Sequence, residues 1–174
     1  GAGGNAALEI PPATSIPELI ARIQGPEHLR STMIVAAPLM HGTGQFSAFI
    51  TLNIGGAVAS LPSRQFNPME LWDEAVRLKA DNIVIVGLAF STPMLEALEA
   101  NPDRWDLSHV KAMSSSGSMW SQENKRGLLS YARNAMIMDS FGSSEAVGLG
   151  ASASAPGAEA ATAAFMLGPN CAVF

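Results

Sequence analysis

Charge is scarce in this sequence: Asp, Glu, Lys and Arg make up 14% of the 174 residues, and the net charge is -5. Surfaces that bind nucleic acid are dense in Lys and Arg, so this acidic balance argues against DNA or RNA as a partner. Cysteine is nearly absent, and the single Cys171 cannot form an internal disulfide. No apolar run approaches the roughly 20 residues that span a bilayer as a helix, so no transmembrane segment is expected. The opening "GAGGNAALEI" has neither the basic region nor the continuous apolar stretch of a signal peptide, which makes a reducing cytoplasm the expected compartment. An initiator Met is also lacking, and the chain is expected to begin inside a longer reading frame.

Hydrophobic residues, by contrast, make up 48% of the chain. A chain of this length can bury about 70% of its unfolded surface around one core. Short apolar runs alternate with helical patterns throughout. "TMIVAAP", "AVASL", "NIVIVG", "VKAMSSSG" and "AMIMDSFG" read as five strands. The segment after Pro38, "HGTGQFSAFITLNIGG", offers a turn, a largely apolar helix and a stop at Gly55-Gly56. Asn67 caps "PMELWDEAVRLKA", with Pro68 at the first helical position, Glu70 at capping-box spacing, and Leu71, Ala75 and Leu78 on one face. Thr92 and Pro93 open "MLEALEA", and Ser121 caps "QENKRGLLSYA". Ser15 is the expected cap of a short helix near the start, with Pro17 in its first turn, whereas His28 and Arg64 read as solvated.

Such alternation predicts an α/β fold: an open, mostly parallel sheet with helices on both faces, joined by right-handed crossovers. Residues 1–150 form the expected α/β subdomain. Residues 151–174 divide into an Ala/Ser/Gly/Pro-rich stretch suited to a mobile surface segment and "AFMLGPNCAVF", a hairpin or edge strand about Gly168-Pro169 whose exposed edge would favour self-association into a homo-oligomer. In parallel sheets ligands gather beyond the carboxyl ends of the strands. Three polar Ser/Gly loops fall there: "MHGTG", "SSSGSMWS" and "DSFGSSEA".

In this order, "PLMHGTG", "SSSGSMWS" and "DSFGSSEAVGLG" resemble the middle of the large N-terminal domain of adenylate-forming (AMP-binding) enzymes, and within them bacterial fatty-acyl-CoA synthetases. The resemblance covers nearly the whole chain. It implies a two-step reaction in which a carboxylate attacks the α-phosphate of ATP to give an acyl-adenylate and pyrophosphate, and the thiol of CoA then takes the acyl group. It also implies Mg²⁺, held in the family's Y-G-x-T-E motif by the glutamate. This sequence matches that motif at Gly142, Ser144 and Glu145, with the Ser144 hydroxyl reaching the α-phosphate. Phe141 stands where the adenine-stacking Tyr is usual; it keeps the π face and loses the hydroxyl. Asp139, Ser140 and Ser143 belong to the same nucleotide loop. Taken alone, Glu145 reads more simply as a charge in the first turn of a helix.

"SSSGSMWS" resembles the family's GGAPL segment, whose backbone passes close to adenine. Gly117 permits that approach, Ser116 and Ser118 supply partners for the base, and the departure is Ser118-Met119-Trp120 in place of Ala-Pro-Leu. An ordinary strand-to-helix turn with Met119 and Trp120 packed on the core fits the same residues. His41 matches the family's P-L-x-H motif near the acyl carboxylate, and Phe46 and Phe49 on the following helix could line the acyl channel or belong to the core.

Several of the family's parts find no match. There is no Gly-rich phosphate loop with Lys, no downstream Thr-Gly-Asp for the ribose, and nothing resembling the C-terminal domain with its adenylating lysine. The expectation is therefore an interior fragment, inactive by itself, of an acyl-CoA synthetase whose substrates are a small-molecule carboxylic acid, ATP and CoA. The alternative is a non-catalytic α/β module that binds a nucleotide or a partner. A serine hydrolase is not supported, because "HGTG" resembles an oxyanion loop but no G-x-S-x-G elbow accompanies it.

Overall fold

The computed structural model describes residues 13–25, 31–143, 149–157 and 165–167. Seven strands lie in one sheet among the described residues: β1 (Thr32–Val35), β2 (Ala57–Ser60), β3 (Asn82–Ile85), β4 (Ala112–Ser116), β5 (Met136–Phe141), β6 (Gly150–Ser154) and β7 (Met166–Leu167). Their order is β2-β1-β3-β4-β5-β6-β7. The first five are parallel, whereas β6 and β7 run antiparallel. Among the described residues five helices accompany them: α1 (Ile16–Ile23), α2 (Gly42–Asn53), α3 (Pro68–Leu78), α4 (Leu88–Ala100) and α5 (Gln122–Tyr131). None of the described helices is long and apolar enough to cross a membrane.

Alternation along the strands sorts the core into two layers. Ile34, Ile83, Ile85, Met113 and Ile137 face one way and pack with Leu71, Trp72, Met94, Leu98 and Leu128 from α3, α4 and α5 and with Trp120 from the loop before α5. Met33, Val35 and Val84 face the other way, where α2 contributes Ala48. The helices thus lie on both faces, and β3, buried at all four positions, is the β-branched run expected of a strand covered on both sides.

Local chemistry sets most boundaries. The Asn67 Oδ1 accepts from the amides of Met69 (3.0 Å) and Glu70 (3.3 Å), which starts α3. The Glu70 carboxylate does not close the box; its Oε1 accepts from the Ser63 amide at 3.3 Å. At α1 the Glu18 amide donates to Ser15 Oγ, and Glu18 Oε2 accepts from the amide of Thr14, one residue before the cap.

Two segments differ from what their composition suggested. Helix α4 begins at Leu88 rather than at Thr92-Pro93, so Pro93 sits inside it. Its start is set by tertiary structure: Gly87 turns the chain at φ 53°, and the Leu88 amide donates to the Met119 carbonyl at 3.2 Å. Residues 150–154, rich in small side chains, form β6, which pairs with all of Ile137–Phe141. Small residues let the backbone extend the sheet there. Gly168, Pro169 and Cys171 lie outside the described residues.

Candidate functional site

The chain steps from β1 outward to β2 and then returns to lay β3 on the other side of β1. Crossovers leave in opposite directions at that point, with α2 on one face and α4 on the other, which is where open parallel sheets take their ligands. His41 ends the loop after β1. It is the N-cap of α2, its Nδ1 accepting from the Thr43 amide at 3.2 Å. An accepting Nδ1 carries no proton, so in the neutral ring the proton resides on Nε2 and that nitrogen is a donor. The ring lies against Gly117 at the end of β4, where an added Cβ would stand 3.0 Å from His41 Cε1 and 3.3 Å from Nε2. Thr43 secures the same junction by donating from Oγ1 to the Ser116 carbonyl at 3.3 Å. Loops from β1 and β4 therefore meet above β3.

The loop 117–120 is braced on its other side. Gly117 has φ 84°, a conformation that suits glycine. A Cβ on Gly87 would collide with Ser118 at 2.6 Å, and the Gly87 amide donates to Ser115 Oγ at 2.8 Å. Trp120 is buried, its Nε1 donating to Asn124 Oδ1 at 2.8 Å, and the Asn124 amide group donates in turn to the Ser91 carbonyl at 3.2 Å. Met119 is exposed. The Trp120 half of the packing alternative holds, and the Met119 half does not.

At the end of β5, Ser140 Oγ donates to the Ser115 carbonyl at 3.3 Å. The Phe141 ring is 52% exposed and packs against Phe165, with centroids 5.9 Å apart. Gly142 and Ser143 are exposed beside it. Ser144 and Glu145 lie outside the described residues. Asp139 behaves differently from its neighbours: its carboxylate turns into the helix layer and forms an ion pair with Lys125 of α5, a fully buried lysine. Burial raises the Asp139 carboxyl above the ordinary carboxylate range, while the hydrogen bond and charge of Lys125 pull it down.

The edge thus assembles His41, Ser116, Gly117, Ser118, Ser140, Phe141, Gly142 and Ser143 within one rim, with Asp139 beneath it. On α2, Phe46 is half-buried, whereas Phe49 faces solvent. Arg64 is exposed. Sequence reasoning passed over Gly87, Ser115, Thr43 and Lys125. Lys125 carried a legible signal, because it lies at helical spacing from the buried Leu128, Leu129 and Ala132 and so occupies a core position. Among the described residues no group of three or more His, Cys, Asp or Glu could hold a metal.

The sequence profile described as AMP-binding enzyme matches residues 14–171. The chain is 38% identical over 112 residues to a 3-oxocholest-4-en-26-oate–CoA ligase of Rhodococcus rhodochrous, a match covering 62% of this chain and 20% of that protein. It is 28% identical over 171 residues to the medium-chain acyl-CoA ligase Mig of Mycobacterium avium, covering 97% of this chain and 30% of the relative. A long-chain-fatty-acid-CoA ligase from Archaeoglobus fulgidus superposes with a TM-score of 0.63 at 17% identity, over 76% of this chain and 27% of that one. That last likeness speaks for the fold alone. The chain spans about a fifth to a third of the length of these relatives. With a profile match over most of its length, and with its loops gathered at the edge where such a fold takes its ligand, the chain belongs to the AMP-binding enzyme family.

Proposed function

We propose that this chain forms the nucleotide-binding centre of an acyl-CoA synthetase that activates a fatty or related carboxylic acid with ATP and passes the acyl group to CoA. The observation that carries this is the packing of the His41 ring on Gly117, which joins the loops of β1 and β4 across the switch point. Family membership and the acyl-CoA ligase activity of the relatives support the substrate class.

In the first step the substrate carboxylate forms a bond to the α-phosphorus and pyrophosphate leaves; in the second the CoA thiol forms a thioester and AMP leaves. The protein's task is to align two anions and to place donors where charge develops. His41 offers Nε2–H toward a carboxylate or phosphate oxygen. Gly117, with no side chain, lets the base approach the backbone, and Ser116 and Ser118 flank it. The exposed Phe141 ring offers a face to adenine. Ser144 supplies a hydroxyl to the α-phosphate.

Mg²⁺ prefers one or two carboxylate oxygens completed by phosphate oxygens and water. Asp139 is engaged by Lys125, and Glu145, which matches the glutamate of the Y-G-x-T-E motif, is the carboxylate proposed for the ion. A Mg²⁺ held there would neutralise phosphate charge.

The test is acid-dependent ATP–pyrophosphate exchange by the protein expressed from the whole reading frame that contains these residues. Glu145→Ala is expected to lower exchange roughly 100-fold or more while leaving the circular dichroism unchanged. Exchange close to that of the unaltered protein removes Glu145 from the site.

A further inference from the structure

Lys125 is fully buried and Asp139 nearly so, each at a core position of its own element. Lys125 lies on the face of α5 that carries Leu128 and Leu129, and Asp139 lies on the face of β5 that carries Ile137. A buried ion pair is seldom retained for net stability, because two desolvation penalties offset the attraction. What it supplies is direction: each charge needs a counter-charge at that depth, and the pair fixes both groups.

Where the two groups sit decides what is fixed. Lys125 is in the first turn of α5, its amide bonded to the Ser121 carbonyl at 3.1 Å, directly after the loop 117–120. Asp139 lies two residues before Phe141, opposite Ser115 in the β4–β5 register, and the next residue, Ser140, bonds the Ser115 carbonyl. The pair therefore ties the end of one nucleotide loop to the start of the other. Trp120 and Asn124 anchor the same turn of α5 to α4 through Ser91.

We propose that Lys125 and Asp139 are positioning residues for ATP: their buried ion pair sets the separation between Gly117 and Phe141, the two sides between which the adenine is to be held. This rests on the nucleotide reading of the two loops, and neither residue touches the substrate in the proposed arrangement.

The experiment uses the protein from the whole reading frame and measures the KM for ATP and for the acid separately by ATP–pyrophosphate exchange. Lys125→Met with Asp139→Leu severs the tie and keeps the apolar volume. It is expected to raise the KM for ATP at least tenfold, leave the KM for the acid within twofold, and keep the native circular dichroism. Lys125→Gln with Asp139→Asn replaces the ion pair by a neutral hydrogen bond and is expected to stay within threefold of the original KM for ATP. Should the apolar pair fail to fold, Lys125→Met with Asp139→Asn severs the link with a smaller change of shape and carries the same tenfold expectation. An unchanged KM for ATP in the severed variant, or an equal rise in both KM values, overturns the positioning role while the exchange of the unaltered protein upholds the synthetase reading. No exchange by the unaltered protein with any acid overturns both.

Discussion

At the residue scale, the Lys125–Asp139 pair separates what a contact contributes to stability from what its loss costs. Removing only Lys125 leaves a carboxylate in an apolar layer with no counter-charge, and Lys125→Met is expected to cost about 3–5 kcal/mol. Removing both charges with Lys125→Met and Asp139→Leu leaves nothing uncompensated and is expected to be neutral within about 1 kcal/mol, or stabilising. Thermal unfolding of the three proteins side by side checks this; a double variant as unstable as the single would show that the pair itself holds the fold. pH adds a second signature. Because burial raises the Asp139 carboxyl in the folded state, the unfolded chain gives up its proton first, and stability declines as pH rises from the ordinary carboxylate range through the raised value. Relative to the double variant, the unaltered protein should therefore gain as pH falls through the raised value toward the ordinary carboxylate range. The sequence already held half of this, since a lysine at i−3 from Leu128 and an aspartate alternating with Ile137 are charges in core positions. What it did not hold was their pairing, which depends on how α5 crosses β5.

At the element scale, short-range chemistry was the most legible. All five parallel strands are read from their β-branched or apolar runs, and the starts of α1, α3 and α5 from their Ser or Asn caps. Asn67 is the clearest of these caps, with its Oδ1 accepting from two otherwise unpaired amides. Asn67→Ala is expected to cost about 1 kcal/mol, a fall of about 2–4 °C in the midpoint for a chain of this size. An unchanged midpoint would mean that Glu70 or water takes over the cap. The start of α4 was not legible. Proline favours the first turn of a helix, so Thr92-Pro93 reads as an opening, yet the helix starts four residues earlier because Gly87 and Leu88 dock on Ser118 and Met119, 31 residues away in the chain. Likewise β6 has small residues with no strand pattern, and its pairing with β5 and β7 makes it a strand.

At the scale of the whole molecule, the sheet order brings His41, Gly117 and Phe141 to one rim, and the alternation of strands and helices predicted that rim before any motif was matched. Its chemistry is lopsided. The described segments that reach the rim, residues 36–41, 86–87, 117–121 and 139–143, contain no Lys or Arg. Lys125, beneath them, is engaged by Asp139. Among the described residues the rim therefore offers an aromatic face, a histidine donor and close backbone approach to a nucleoside, and no cation to a triphosphate. An unneutralised triphosphate gains little from such a surface, since each added negative charge must be drawn out of water without a partner. In magnesium-free buffer, the purified 174-residue chain is expected to bind adenosine and ATP with affinities within threefold of each other and to give no acid-dependent pyrophosphate exchange. Isothermal titration with the two ligands checks the first part. ATP binding 100-fold tighter than adenosine would mean that these residues neutralise the phosphates on their own, and the division of labour drawn from the rim, base here and phosphate charge on Mg²⁺ or on residues outside this chain, would fail.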